Sequence, residues 1–252
     1  MNINIKSPKI QIILLLATLA GVGVFTGDPA AKLWVLTYGI LAAVFTEWML
    51  WGKAKPQMLQ SAVITGSIIG MLSSPGTNLM FVWLAAFAAI SSKRFIQIQG
   101  NHVFNPAALG LFIAGLALSN QVNWWGSSLS PVIIVRAGII LLRLKRLEMT
   151  FAYITGRVLF AMLVGVPLSG ALMLPNFFFA FIMLIEPKTS PSKRGEQLVF
   201  GLGCGALSTI AANLIPQYET DLAALLIMNL LRKPIRMIFN RKTISTERQH
   251  EI

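Results

Sequence analysis

FVWLAAFAAISSKRFIQIQGNHVFNPAALGLFIAGLAL, Phe81 to Leu118, holds two apolar runs joined by a short polar connection that begins with Lys93 and Arg94. In a soluble protein such runs would be core helices, wrapped by polar surface supplied elsewhere in the chain. That surface is missing here: of 252 residues, 55% are hydrophobic and only 12% charged, and the mean hydropathy is +0.69. A soluble domain carries about 25% charged residues, whereas crossing the hydrocarbon of a bilayer takes about 20 mostly apolar ones. The chain therefore reads as an all-α polytopic membrane protein with little mass outside the lipid.

Working outward from this stretch, apolar runs bounded by Gly, Pro, Asn or charge predict about ten transmembrane helices. They cover Ile10 to Thr26, Leu33 to Trp51, Met58 to Ser73, Leu79 to Ile90 and Phe104 to Leu118 in a first half of about residues 1–120. Pro131 to Leu142, Phe151 to Leu168, Ala171 to Ile185, Leu198 to Ile215 and Leu222 to Leu231 follow in a second half of about 121–240. Together they form one transmembrane domain over 1–252, ending in a short basic tail, 232–252.

Charge tests the count independently, because cytoplasmic loops accumulate Lys and Arg. With the N-terminus inside, 18 of the 21 basic residues fall on inner turns and tails, Lys32 alone falls outside, and Arg136 and Arg157 lie within helices. An even number of crossings with both termini cytoplasmic follows. The net charge of +12 is then topology and attraction to anionic lipid, and no nucleic-acid partner is expected. Lys6 and Lys9 before ILLLATLAGVGVF resemble a signal peptide, but the alternation of charge needs this segment retained. The lone Cys204 excludes a disulfide framework and a CxxC redox pair.

Two halves of five helices would be related by inversion, since five crossings reverse orientation. The third segment of each half ends at a Pro-containing turn, MLSSPGTN (Met71 to Asn78) and MLIEPKTSP (Met183 to Pro191). Interrupted segments at matching positions point to a central site, or else are ordinary loops. Ser73 and Ser74 of the first turn, with Glu186, Arg157 and Arg136, are the candidates for an ion path or for buried pairing, since charge at membrane depth generally faces the bundle interior; the structural alternatives are an interfacial salt bridge of Glu186 with Lys188 and an Arg136 side chain that snorkels outward. Glu47 lies at similar depth, close enough to Trp48 and Trp51 to belong to an aromatic belt. In GNHVFNPAALGL, Pro106 suits the first helical turn and Asn105 its cap, which leaves Asn101 and His102 unexplained. A helix N-terminus is also a natural seat for a phosphate-bearing cofactor or an anionic lipid.

ITGSIIGMLSSPGTN (Ile64 to Asn78), GNHVFNPAALGL and IEPKTSPSKRGEQLVFGLGCGALSTI (Ile185 to Ile210) together resemble the RnfD/NqrB family, integral-membrane subunits of the Rnf complex and of the sodium-pumping NADH:quinone oxidoreductase. The resemblance implies ten helices in two inverted halves, a bacterial inner-membrane location, and other membrane and redox subunits as partners. It also implies a flavin mononucleotide esterified to the Thr of a Ser-Gly-Ala-Thr motif on the outer side. This chain departs there: SNQVNWWGSSLSP (Ser119 to Pro131) lacks the motif, and Ser169, Gly170, Ala171 end in Leu172, which has no hydroxyl. Covalent FMN is expected to be absent and a noncovalent flavin remains open, with Asn101, His102, Asn105, Pro106 and Ser190 as candidate contacts. The function implied is a subunit, not itself catalytic, that couples or scaffolds redox-driven ion translocation. The alternatives are a flavin-free transporter or channel-like relative, similar to enediyne-biosynthesis accessory membrane proteins, and a membrane anchor. Neither HExxH nor a P-loop is present.

Overall fold

The computed structural model describes residues 7–52, 55–119, 122–127 and 131–250, without the side chains of Pro8, 131–136 and 241–250. Arg136 therefore has a place on a helix, but its side chain lies outside the described residues. The first half comprises α1 (Pro8–Val24), α2 (Pro29–Trp51), α3 (Pro56–Leu72), α4 (Leu79–Phe95) and α5 (Pro106–Leu118). The second comprises α6 (Pro131–Leu144), α7 (Leu147–Leu163), α8 (Leu168–Ala171), a π-helical turn at Phe179–Met183, α9 (Arg194–Leu214) and α10 (Thr220–His250). Proline opens α1, α2, α3 and α5 in the first turn, where its missing N–H is not needed. Asp28, Asn78 and Asn105 cap α2, α4 and α5 by accepting from Ala31 N, Met80 N and Ala108 N.

Small and large apolar side chains share the interior, Tyr153, Phe81, Phe179 and Phe200 among them, and large apolar ones also cover the outside. Ala43, Ala62, Ala85, Ala86, Ala89 and Ala108 are fully buried, while Met173, Phe25 and Leu163 are 86%, 82% and 77% exposed. Apolar surface of this extent turned outward is consistent with a bundle that faces lipid. Glycine lets the helices close: a Cβ on Gly66 of α3 would lie 2.5 Å from Gly39 O of α2, and one on Gly205 of α9 would lie 2.5 Å from Tyr153 O of α7. In the first half α2 packs on α3 and α4, and α4 on α5; in the second α7 packs on α9, and α9 on α10.

α2 and α9, of 23 and 21 residues, are long and apolar enough to cross a membrane by length and composition. α1, α3, α4, α5, α6 and α7 have 13 to 17 residues, so ten full-length spans are not what the helix lengths deliver.

Three sequence expectations need correction. The run Ala171 to Ile185 is not one helix: Pro175 interrupts it, and Asn176 restarts the chain by accepting from Phe179 N at 3.1 Å. The connection before GNHVFNPAALGL is not a plain loop but a two-residue hairpin of β1 (Gln97–Ile98) and β2 (Asn101–His102). Gln99 and Gly100 both have positive φ, 51° and 75°, as such a tight hairpin requires. The basic tail beyond Leu231 is helical, since α10 runs on through Pro234.

The basic turns gather at one end of the bundle, hereafter the basic end. Lys9 Nζ donates to Gln57 O at 3.0 Å, Gln197 Nε2 to Lys145 O at 2.9 Å and Lys193 Nζ to Asn240 Oδ1 at 2.9 Å, and Arg94 and Arg232 reach Leu50 O and Lys188 O. Lys32, outside that set by sequence, closes the far end of α1 by donating to Gly23 O at 2.8 Å and Thr26 Oγ1 at 2.9 Å.

Candidate functional site

The hairpin β1–β2 and the cap of α5 deliver His102 and Asn105 into the basic end, where the EPKTS turn meets them. His102 Nε2 lies 3.0 Å from Glu186 Oε1. Thr189 Oγ1 donates to the other carboxylate oxygen, Oε2, at 3.2 Å, and Ser190 Oγ donates to Glu186 O at 2.7 Å. Asn105 Nδ2 donates to Met183 O at 3.0 Å, and Asn105 N donates to Asn229 Oδ1 of α10 at 2.8 Å. Asn229 Nδ2 completes the junction by donating to Thr189 O at 3.2 Å. A buried polar group without a partner is costly, so this chain of bonds fixes α5, the EPKTS turn and α10 to one another.

Beside the junction is a cavity of about 890 Å³. His102, Asn105, Pro106 and Glu186 line it, as do Glu47 of α2 and Lys93 of α4. Lys9 and Lys188 stand in its wall. Ile12, Ile64, Ile68, Ile182 and Trp51 supply an apolar body, and Gln57, Gln60 and Gln97 supply neutral hydrogen-bonding groups. Its size and mixed lining suit a ring-bearing amphiphile.

The residues singled out from the sequence divide into two groups. His102, Asn105, Pro106 and Glu186 come together at the cavity. Asn101 is exposed on the hairpin, and Ser190 is buried with its hydroxyl turned to Glu186 O. At the α5 N-terminus, Asn105 and Ala108 give their amides to Asn229 and Asn105 side chains, so the protein's own amides and carbonyls fill much of the anion seat.

Ser73 and Ser74 stand at the opposite end. Ser73 Oγ donates to Ile69 O at 2.7 Å, its carbonyl accepts from Trp125 Nε1 at 3.0 Å, and Ser74 O accepts from Thr77 N. Eight residues of helix separate Ser73 from Thr65 in the cavity wall, about 12 Å. Arg157 is also remote, paired with Asp221 at 3.8 Å beside Tyr153, whose hydroxyl donates to Asp221 Oδ1 at 3.1 Å. Arg157 Nε and Nη1 find no hydrogen-bond partner among the described residues. Near that end, Trp124 Nε1 donates to Glu219 Oε2 at 3.3 Å, and burial, against that bond, raises the Glu219 carboxyl to about 7.

Sequence reasoning missed Asn229, Ser61, Thr65 and the role of Lys93. Asn229 had a signal, a lone amide inside ALLIMNLL. Lys93 was absorbed by the charge count, and two hydroxyls four apart on an apolar helix carry no signal of their own.

No known family profile matches the chain. Among curated proteins, the D subunit of an ion-translocating oxidoreductase complex of Methanosarcina acetivorans is 26% identical over 229 residues, covering 79% of this chain and 77% of that protein. The chain is thus a distant homologue of that protein, which agrees with the resemblance to the RnfD/NqrB family read from its sequence.

Proposed function

We propose that this chain is an RnfD/NqrB-like integral-membrane subunit of an electron transport complex, scaffolding or coupling redox-driven ion translocation with no covalent FMN of its own. The name of the Methanosarcina relative supports the kind of complex. The observation that carries the reading is the cavity at the basic end, where the family-like segments of both halves converge through His102 and Glu186.

The topology proposed is ten membrane segments, some shorter than a full span, in one domain with both termini cytoplasmic. The gathering of basic turns at one end supports it. The paired contacts, α2–α4 and α4–α5 against α7–α9 and α9–α10, support two inverted halves. Other redox and membrane subunits would be the partners, and a bacterial inner membrane the location.

The cavity fits a noncovalent flavin. Its isoleucines and Trp51 would bed the ring, while His102, Gln57, Gln60 and Gln97 offer hydrogen bonds at its edge. Asn105 would act by holding the wall, its own polar atoms being engaged. Bound there, a flavin would supply one- and two-electron transfer. A covalent link of the family's kind does not fit, because the stretch from Ser119 to Pro131 lacks the Ser-Gly-Ala-Thr motif and the nearest similar string, Ser169 to Leu172, lies two helices later and ends without a hydroxyl.

Purification under non-denaturing detergent tests the reading. Flavin absorbance that is released by acid, and is weakened by His102→Ala and Asn105→Ala, is the expected result. Protein without flavin, and with no redox-active partner on pull-down, would favour the flavin-free transporter or membrane anchor instead; the absent esterification motif is what speaks for that second reading.

A further inference from the structure

Lys93 is held differently from its neighbours at the basic end. Arg94, one residue on, anchors α4 with a bond to Leu50 O. Lys93 Nζ instead donates to Ser61 O at 3.2 Å, Ser61 Oγ at 3.0 Å and Thr65 Oγ1 at 2.8 Å. An ammonium has three protons, and these three oxygens take them all. Thr65 sends its own hydroxyl proton to Ser61 O, 2.9 Å away, so the lone pairs of Thr65 Oγ1 are left for the positive charge.

Two carboxylates look onto the same space. Glu47 from α2 and Glu186 line the cavity and both act electrostatically on Lys93, although Glu186 gives Oε1 to His102. Neutral hydroxyl and carbonyl oxygens in contact, with carboxylates behind them, is the composition by which proteins replace the hydration shell of a monovalent cation. Anchoring a helix end needs one acceptor; three on a single i, i+4 face make a cradle. Lys9, Lys188 and His102 also face the cavity, and the lysines oppose entry of any further cation.

We propose that Ser61 and Thr65, backed by Glu47 and Glu186, form a monovalent-cation site whose occupant in this chain is the ammonium of Lys93. Sodium and potassium are excluded while that tethered charge stays in place, and withdrawing it opens the site to them. The inference needs only the cavity and no bound flavin, so it and the proposed function fail separately.

The full chain, purified in detergent, is melted in sodium, potassium or choline chloride at equal ionic strength. The wild type is expected to show no alkali-specific shift. Lys93→Ala is expected to gain a saturable rise of about 5 °C with sodium or potassium, and Lys93→Ala/Thr65→Val to lose it. A saturable alkali response already present in the wild type, or a folded Lys93→Ala without one, overturns the proposal. Should Lys93→Ala not fold, Thr65→Val alone decides: loss of one acceptor is expected to speed acylation of Lys93, read by mass spectrometry, about fivefold. An unchanged rate overturns it.

Discussion

His102 Nε2 and Glu186 Oε1 meet at 3.0 Å across 84 residues of chain, joining the hairpin of the first half to the EPKTS turn of the second. The contact is partly buried, with the imidazole nearly inaccessible and the carboxylate about a quarter exposed. Replacing His102 by Ala removes one hydrogen bond to a group that can still reach water, so a loss of about 1–2 kcal/mol is expected. A double-mutant cycle with Glu186→Gln, read by thermal melting in detergent, should return a coupling of about 1 kcal/mol. Strictly additive losses would mean that the pair does not interact in solution.

Asn229 should matter more than His102. Asn229→Leu strands Asn105 N and Thr189 O inside the bundle, at about 1–3 kcal/mol for each. Asn229→Leu is expected to melt well below His102→Ala. Equal melting temperatures would show that water reaches the junction.

The glycine crossings give a graded test. A Cβ at Gly66 would meet Gly39 O and the backbone of Ile40, which cannot move aside as a side chain could. Gly66→Ala and Gly205→Ala are each expected to cost several-fold in folded yield by size-exclusion chromatography. Gly138→Ala, on α6, meets nothing within 4 Å and should be neutral or slightly stabilising. Loss of fold in Gly138→Ala would show that a further surface packs there.

Glu219 predicts a pH dependence with a definite sign. The folded carboxyl holds its proton up to about 7, while in the unfolded chain it ionises near 4.5. Between those values the folded state binds a proton that the unfolded state has lost, so stability falls as pH rises from about 4.5 to about 7 and then levels off. Glu219→Gln should flatten that fall, and the fluorescence of Trp124, which donates to Glu219, should titrate with the same midpoint. An identical pH profile in Glu219→Gln would assign the slope to another group.

Much of this protein was decided one segment at a time. Apolar runs marked the presence of α2, α4, α5 and α9, because in a greasy chain only helices satisfy the backbone without water; the ends of α5 fell within two residues, but α2 and α9 begin four residues earlier and α4 ends five residues later than the apolar runs do. The distribution of Lys and Arg along the chain likewise marked which turns would share an end, and Asn105 and Pro106 announced their cap. What depended on folding is everything made by residues far apart: Asn105 with Asn229, His102 with Glu186, and Lys93 with Ser61 and Thr65. Spacing along a chain cannot report such pairs, since they arise only when glycine-lined helices close to backbone contact and bring distant segments together at the basic end. The broken eighth segment is of the same kind: hydropathy carried it straight through Pro175, whereas in the fold Asn176 N donates to the Tyr153 hydroxyl at 3.3 Å and Phe179 opens a π turn with its ring against Tyr153.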